Sequence, residues 1–419
     1  MLLRTSRNVA GAVALVALPI AATPAHAQMV GDAPPEPAID TGPYAPIGLR
    51  SGPIYFFPSL EVLGIYNDNV YAQQNNKRGD ELLVVSPQLH VLTDWSRHQL
   101  ELLAEGEFGF YNDFTTENYQ DYRFKGRFRL DVTRATNILF EASRSRDHQQ
   151  RGDPETVAGL EPTKFDVTRG KVQLNQSLGR LQLSGGASIQ RLEFKDVAAV
   201  GGGFINNHDR NRNVFVADGK AAYEFSPGYS VYTEFAYNWR NFDDRVDDLG
   251  VNRDSHGFEF TGGVDFELTD LLVGSVYGGY MEQHPDDPSL VKIKGPAFGA
   301  DLTWSATPLT TVTLSGSRTI QDSQYLNASG FFADRGRLTV KYDFRDNITL
   351  RVYGEIGQDA YRGITRNDFR YGAGISMQWQ MNHYLAADVG YTFQGRNTNY
   401  TGIQDFNRNL IAVGLTAKY

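Results

Sequence analysis

The last nine residues, Ile411-Ala412-Val413-Gly414-Leu415-Thr416-Ala417-Lys418-Tyr419, alternate apolar with small or polar side chains at a strict period of two and stop on an aromatic residue. Successive side chains of a strand point to opposite faces. Ile411, Val413, Leu415, Ala417 and Tyr419 therefore share one apolar face, and Ala412, Gly414, Thr416 and Lys418 share a small or polar one. A strand that crosses an outer membrane in a barrel has this form, apolar toward lipid and polar toward a wet interior. The pattern recurs along the chain, which predicts an all-β fold, a transmembrane antiparallel up-and-down β-barrel.

The alternating segments run approximately over 54–66, 81–93, 98–111, 119–133, 136–146, 164–178, 180–194, 211–226, 228–241, 254–268, 271–283, 293–306, 309–319, 332–345, 347–360, 366–381, 383–395 and 406–419, about 18 in all. Their connections alternate short and long without exception. Arg134-Ala135, Gly179, Pro227, Thr269-Asp270, Pro308, Asp346 and Asn382 are short; 147–163, 195–210, 242–253, 284–292, 320–331 and 396–405 are long. Outer-membrane barrels pair short periplasmic turns with longer extracellular loops, so an even strand number with both termini periplasmic follows. Pro87 and Pro296 each remove a ladder donor inside a segment and predict a bulge or an irregular edge, and a count of 16 stays open.

A soluble β-sandwich also alternates apolar with polar, so the pattern alone does not exclude one. The amino terminus argues for export. Arg4 and Arg7 precede an apolar run from Val9 to Ile20, and Ala25-His26-Ala27 ends at Gln28, which reads as a secretory signal over 1–27. That run is too short to span a bilayer, and no other stretch approaches the roughly 20 consecutive apolar residues of a membrane helix. Residues 28–53 hold Pro34, Pro35, Pro37, Pro43, Pro46 and Pro53 with little periodicity and read as a periplasmic linker or a short plug. The barrel is assigned to 54–419. Loss of Arg4 and Arg7 with the signal takes Lys+Arg from 40 to 38 against 49 Asp+Glu and the net charge from -9 to -11, so nucleic acid is not an expected partner. With no cysteine there is neither a disulfide framework nor thiol chemistry.

The most distinctive charge pattern is Arg123, Lys125, Arg127 and Arg129, which alternate with Tyr122, Phe124, Gly126, Phe128 and Leu130 and so form one inward column. Glu101, Glu105 and Glu107 on the preceding segment form an acidic column beside it, where cross-strand pairing is favourable. One reading is a salt-bridged ladder that holds the wall. The other is a transverse field that selects a charged or saccharide-like solute, with these seven residues as pore-lining candidates. Inward charges on later segments, Glu234, Arg240, Asp265, Asp301, Arg337, Lys341, Arg351, Glu355 and Asp388, predict a polar lumen all round. Tyr232, Tyr277 and Tyr353 also point inward, either as space fillers or as surfaces on which a sugar ring stacks.

Asp/Asn-rich stretches such as 67–69, 243–248 and 286–287 lack the spacing of a calcium loop and read as solvated acidic loops. The histidines at 90, 98, 148, 208, 256, 284 and 383 are scattered without metal-ligand spacing. Ser86 and His90 share a face, yet four residues of strand separate them by about 13 Å. No enzymatic activity, metal or cofactor is expected.

Phe57-Pro58-Ser59-Leu60-Glu61 leading to Tyr66-Asn67-Asp68-Asn69-Val70-Tyr71, then Val85-Ser86-Pro87-Gln88-Leu89 and Asp94-Trp95-Ser96-Arg97-His98, resemble the family called putative beta-barrel porin 2. The later segments are compatible with it over essentially all of the mature chain. The resemblance implies an outer-membrane barrel of a Gram-negative cell with a role in secretion or surface assembly of exopolysaccharide. It carries over no functional residues. The expected partners are outer-membrane lipid, a polysaccharide or small solute, and the periplasmic chaperones and barrel-assembly machinery. The leading function is a porin-like channel supporting exopolysaccharide export; the alternative is a non-conducting barrel that serves as a scaffold or assembly partner.

Overall fold

In the computed structural model, residues 43–268 and 271–419 are described. The signal at 1–27, residues 28–42 of the linker and the Thr269-Asp270 turn lie outside them. Eighteen antiparallel strands close into one barrel: β1 Ile54–Asn67, β2 Asp80–Thr93, β3 Gln99–Tyr111, β4 Tyr119–Asp131, β5 Thr136–His148, β6 Lys164–Leu178, β7 Leu181–Phe194, β8 Arg212–Ser226 and β9 Tyr229–Phe242 form one half. The other half is β10 Ser255–Leu268, β11 Leu272–Pro285, β12 Ile293–Thr307, β13 Thr310–Gln321, β14 Gly330–Arg345, β15 Ile348–Arg362, β16 Asn367–Gln380, β17 Leu385–Thr398 and β18 Phe406–Lys418. β1 pairs β18 from Ser59↔Lys418 to Asn67↔Leu410, which closes the wall.

Lipid-facing and inward positions fall where the alternation puts them. On β18, Ile411, Val413 and Leu415 are 51%, 60% and 50% exposed while Ala412 is buried. An apolar band of that kind around a whole barrel is excluded in a soluble monomer. On β16 it runs from Phe369 to Trp379, both exposed. Ten residues at about 3.3 Å, inclined by about 40°, give a height near 25 Å, the thickness of an outer-membrane apolar band. Trp304, Trp379, Tyr384 and Tyr419 mark its edge at the short-turn end, and Tyr66, Trp239 and Tyr280 mark the other edge.

The alternation of connections has one exception. Residues 363–366 join β15 to β16 at the long-loop end, yet they are no longer than 381–384 at the opposite end. Of the linker, residues 43–53 run along the short-turn rim. Leu49–Ser51 pairs with Ile54–Phe56 on the edge of β1 that β18 leaves uncovered, and Tyr44 lies 6.0 Å from the His383 ring.

The two prolines act differently. At Pro87 there is no bulge: β2 keeps its register with β3 from Val85↔Phe108 to Gln88↔Glu105, with two pairings missing between. Pro296 lies in the part of β12 that does not pair with β13, because the β12–β13 ladder stops at Gly299↔Ser317. Beyond that point β13–β15 slide inside β11–β12. Ile320 and Phe332, on the side of β13 and β14 that faces lipid lower down, pack against Met281, Ile293 and Ala297 from the inner face of β11 and β12, and these five are at most 2% exposed. A proline with no N–H to give a neighbour suits a strand edge that has none. The tip of the β13–β14 hairpin, residues 322–329, is thereby tipped into the lumen.

Candidate functional site

The lumen is narrowed at the long-loop end by residues 149–163, which connect β5 to β6. In an 18-strand barrel β14 stands opposite β5, and the loop reaches that far. Glu155 at its tip accepts from the backbone N–H of Gln324 at 2.9 Å and from the Tyr361 hydroxyl at 2.6 Å. The side chain of Gln324 donates to the Glu155 carbonyl at 2.7 Å. The return leg of the loop is backed by the β7–β8 connection, through Leu160 N–H to the Ala198 carbonyl.

Four arginines on neighbouring elements hold the outward leg, residue by residue. Arg408 of β18 donates to the Gln150 side chain at 2.9 Å and to the Arg151 carbonyl at 3.5 Å. Arg396 of β17 donates to the Gly152 carbonyl at 2.8 Å. Arg370 of β16 meets the Asp153 carboxylate at 3.5 Å, and Arg366, just before β16, donates to the Pro154 carbonyl at 3.0 Å. Each neighbouring element thus supplies one guanidinium fork to one step of the loop, which turns between Gln150 and Asp153, an arrangement of charge-assisted hydrogen bonds.

The opposite side of the constriction is also built on buried arginines. Asp322, on the tipped hairpin, sits between Arg212 at 3.0 Å and Arg240. Burial alone would raise the Asp322 carboxyl, but Arg240 and Arg212 hold it below the ordinary range. Arg253 donates to the Ala328 carbonyl and pairs with Asp247 at 2.7 Å, so Asp247, in a stretch read from sequence as a solvated acidic loop, is in a buried ion pair. Arg210 is buried against Phe194, with its guanidinium 4.0 Å from the ring centre, and has no carboxylate within 4 Å among the described residues. Burial lowers it to about 10. Glu155 keeps partial access to the lumen, and burial raises its carboxyl despite the donors from Gln324 and Tyr361 and the nearby charges of Arg366 and Arg210.

Between the loop and the β7–β9 wall remains a cavity of about 130 Å³, lined among others by Phe194, Arg210, Arg212, Phe242, Gln321 and Arg335. Small-molecule sites begin near 300 Å³. That cavity is too small to hold a saccharide.

The basic column read from sequence lies lower on the wall. Arg123, Lys125, Arg127 and Arg129 alternate with Phe124, which is 55% exposed to the lipid side. Glu105 stands opposite Arg123 and Glu101 opposite Arg127, as expected, but Glu107 stands opposite Asp121, acid against acid. The contacts spread over four strands. Arg127 bonds Glu141 of β5 at 2.7 Å, Glu101 bonds His90 of β2 at 2.5 Å, and Glu107 accepts from Tyr119 at 2.8 Å. Arg123 stands 3.7 Å from both Glu105 and Asp147, and Arg129 bonds Asp131 at 2.8 Å. Arg169 and Lys171 of β6 extend the basic sector, and Asp218, Glu234, Glu259, Asp265 and Asp301 of β8–β12 line an acidic one. A dipolar lumen follows from the alternation alone. The narrowing loop and its arginines do not.

A family model described as Putative beta-barrel porin 2 matches residues 42–419. The chain belongs to that family. Its place is the outer membrane of a Gram-negative cell, and its barrel is porin-like. Among solved structures, the ferric enterobactin receptor PfeA of Pseudomonas aeruginosa is 9% identical, with a TM-score of 0.47 over 87% of this chain and 80% of that one. OccK3 of the same organism is 13% identical, with a TM-score of 0.44 over 87% and 96% of the two chains. OccK2 from P. aeruginosa, solved in complex with glucuronate, is 11% identical, with a TM-score of 0.46 over 87% and 98%. No curated protein matches the sequence.

Proposed function

We propose that this porin-like barrel is a channel held narrow by its 149–163 loop, and that it serves export or surface assembly of exopolysaccharide when the loop moves aside. Its termini and short turns are periplasmic, and no catalytic step is part of the reading. One observation carries it: the loop is fastened to the wall by hydrogen bonds and ion pairs rather than by an apolar core. Bonds of this kind, with one partner charged, have net strengths of about 1.5–3 kcal/mol each, so each can be exchanged singly for another polar partner. A lumen of 18 strands is wide enough for an aqueous path once the loop is displaced.

The scaffold reading draws on the same constriction, since a fixed loop latched across the barrel narrows the lumen. Planar-bilayer conductance separates the two. Wild-type protein is expected to give small currents, and replacement of residues 151–157 by a Gly-Ser linker to give large steady ones. Silence of both proteins sinks the channel and leaves the scaffold.

A further inference from the structure

The arginines that hold the loop are arranged for something more acidic than the loop. Arg370 of β16 and Arg396 of β17 are direct cross-strand partners. Like charges in that position repel. Arg396 and Arg408 are 5% and 9% exposed, and neither has a carboxylate within 4 Å among the described residues. Their loop partners are neutral: two backbone carbonyls and the amide of Gln150. The Nε of Arg396 and the Nη1 of Arg366 and Arg370 are buried and meet no hydrogen-bond acceptor of the protein. A buried guanidinium is costly unless paired with a charge and fully bonded.

We propose that Arg366, Arg370, Arg396 and Arg408 form a binding site for a linear, carboxylate-bearing saccharide, and that residues 150–154 occupy it in the ligand's place. The inference rests on the polysaccharide reading above and adds its charge class. Arg396 and Arg408 take carboxylate oxygens where they now take carbonyl and amide oxygens, Arg370 exchanges Asp153 for a carboxylate of the ligand, and Arg366, already paired with Asp368, offers its unbonded Nη1. A guanidinium bond to a carboxylate is roughly twice as strong as a neutral one. Arg370, Arg396 and Arg408 stand on three neighbouring strands, each step about 4.8 Å across the wall, so the site is matched to a chain rather than to a compact ion. Of the loop's own groups only Asp153 brings a negative charge to these arginines. An acidic chain therefore displaces the loop by binding, and a neutral sugar does not.

Hydrogen–deuterium exchange on the purified full chain in detergent tests this. Exchange of the amides of 149–157 is followed with trigalacturonate or with maltotriose, at matched ionic strength. Trigalacturonate is expected to speed exchange by about tenfold, the response to a shift of about 1.4 kcal/mol; maltotriose is expected to have no effect. In R396Q/R408Q the loop should exchange fast without ligand and respond to neither sugar. R396K/R408K, which keeps charge but loses the fork, should respond only at higher trigalacturonate and keeps the test alive if the first variant does not assemble. Unchanged exchange with trigalacturonate, an equal response to maltotriose, or a wild-type response in the lysine variant overturns the proposal. Because exchange needs no current, a silent bilayer with a responsive loop would defeat the channel reading and leave this one standing.

Discussion

The hydroxyl of Tyr361 on β15 lies 2.6 Å from Oε1 of Glu155, so the tip of a loop rooted between β5 and β6 is latched to the far side of the barrel. The groups around that carboxyl are Tyr361, Ser323 and Gln324, with Arg366, Arg210 and Tyr325 nearby. Burial raises its pKa above the ordinary 4.5, which means that the latched loop binds the proton more tightly than the released loop does. The closed state therefore gains stability that is fully present below 4.5 and lost as pH rises through the raised value. Asp322 works in the opposite sense at lower pH, since its depressed carboxyl supports closure above 3.8 and loses it only as pH falls through the depressed value. Mild acid should reduce single-channel current and slow amide exchange in 149–157. Glu155→Gln should abolish that dependence and keep the loop closed at neutral pH; an unchanged pH response in the variant would assign the effect to another group.

Gly152→Ala should release the loop without touching any charge. Gly152 has φ +94°, and a Cβ there would come within 2.7 Å of the Phe406 ring. Strain of this kind costs about 1–3 kcal/mol per residue. That is comparable to about one of the charge-assisted bonds that fasten the loop. The expected outcome is larger conductance with unchanged assembly; a wild-type current would show that the loop tolerates the shift.

Period-two alternation fixed which side of each strand meets lipid, and with it all 18 strands to within a few residues. It says nothing about what meets across the lumen. Glu155 and Tyr361 are 206 positions apart, and no local pattern links them. Arg396 fell outside the segment read as 383–395, because its alternation partners give way to Gly395 and Asn397 there, so its inward aim was not legible. Arg408 and Arg370 did lie inside their segments. Their shared level at the long-loop end becomes apparent only once the registers of β16–β18 are known. Pro296 was legible as an irregularity, but whether it made a bulge or an unpaired edge depended on where β13 packs.

The topology has a direct test in the cysteine-free background. Asn206 lies exposed in the β7–β8 connection and Asn382 exposed in the turn before β17, at opposite ends of the barrel. A cysteine at Asn206 should react with an impermeant reagent on intact cells, and one at Asn382 should not. The reverse pattern would invert the barrel in the membrane.

Tyr419→Asp should impair assembly. The Tyr419 ring packs 5.6 Å from Tyr384, and its backbone N–H bonds the Pro58 carbonyl at 3.1 Å, so it joins the last strand to the first at the short-turn girdle. A charge on the lipid face costs up to about 2–4 kcal/mol at the midplane for basic residues and less for acidic ones or near the interface. A modest fall in yield and in heat-modifiable gel mobility is expected, and full assembly would remove Tyr419 from the girdle.

Replacing Arg127 and Arg129 with Gln should move ion preference toward cations once the loop is open. Both alternate with lipid-facing residues, so the change leaves the membrane side intact and alters the inner potential. Among the carboxylates that lose a partner are Glu141 and Asp131, at 2.7 Å and 2.8 Å in the wild type. The arginine side chains in these pairs are 36% and 50% exposed, and exposed pairs contribute at most about 1 kcal/mol, further screened by salt in a wet lumen. The stability loss should therefore be small beside the electrical effect. Reversal potentials in a salt gradient, measured in the background lacking 151–157, give the answer directly. An unchanged reversal potential together with a large loss of thermal stability would make the column a wall ladder and remove it from solute selection.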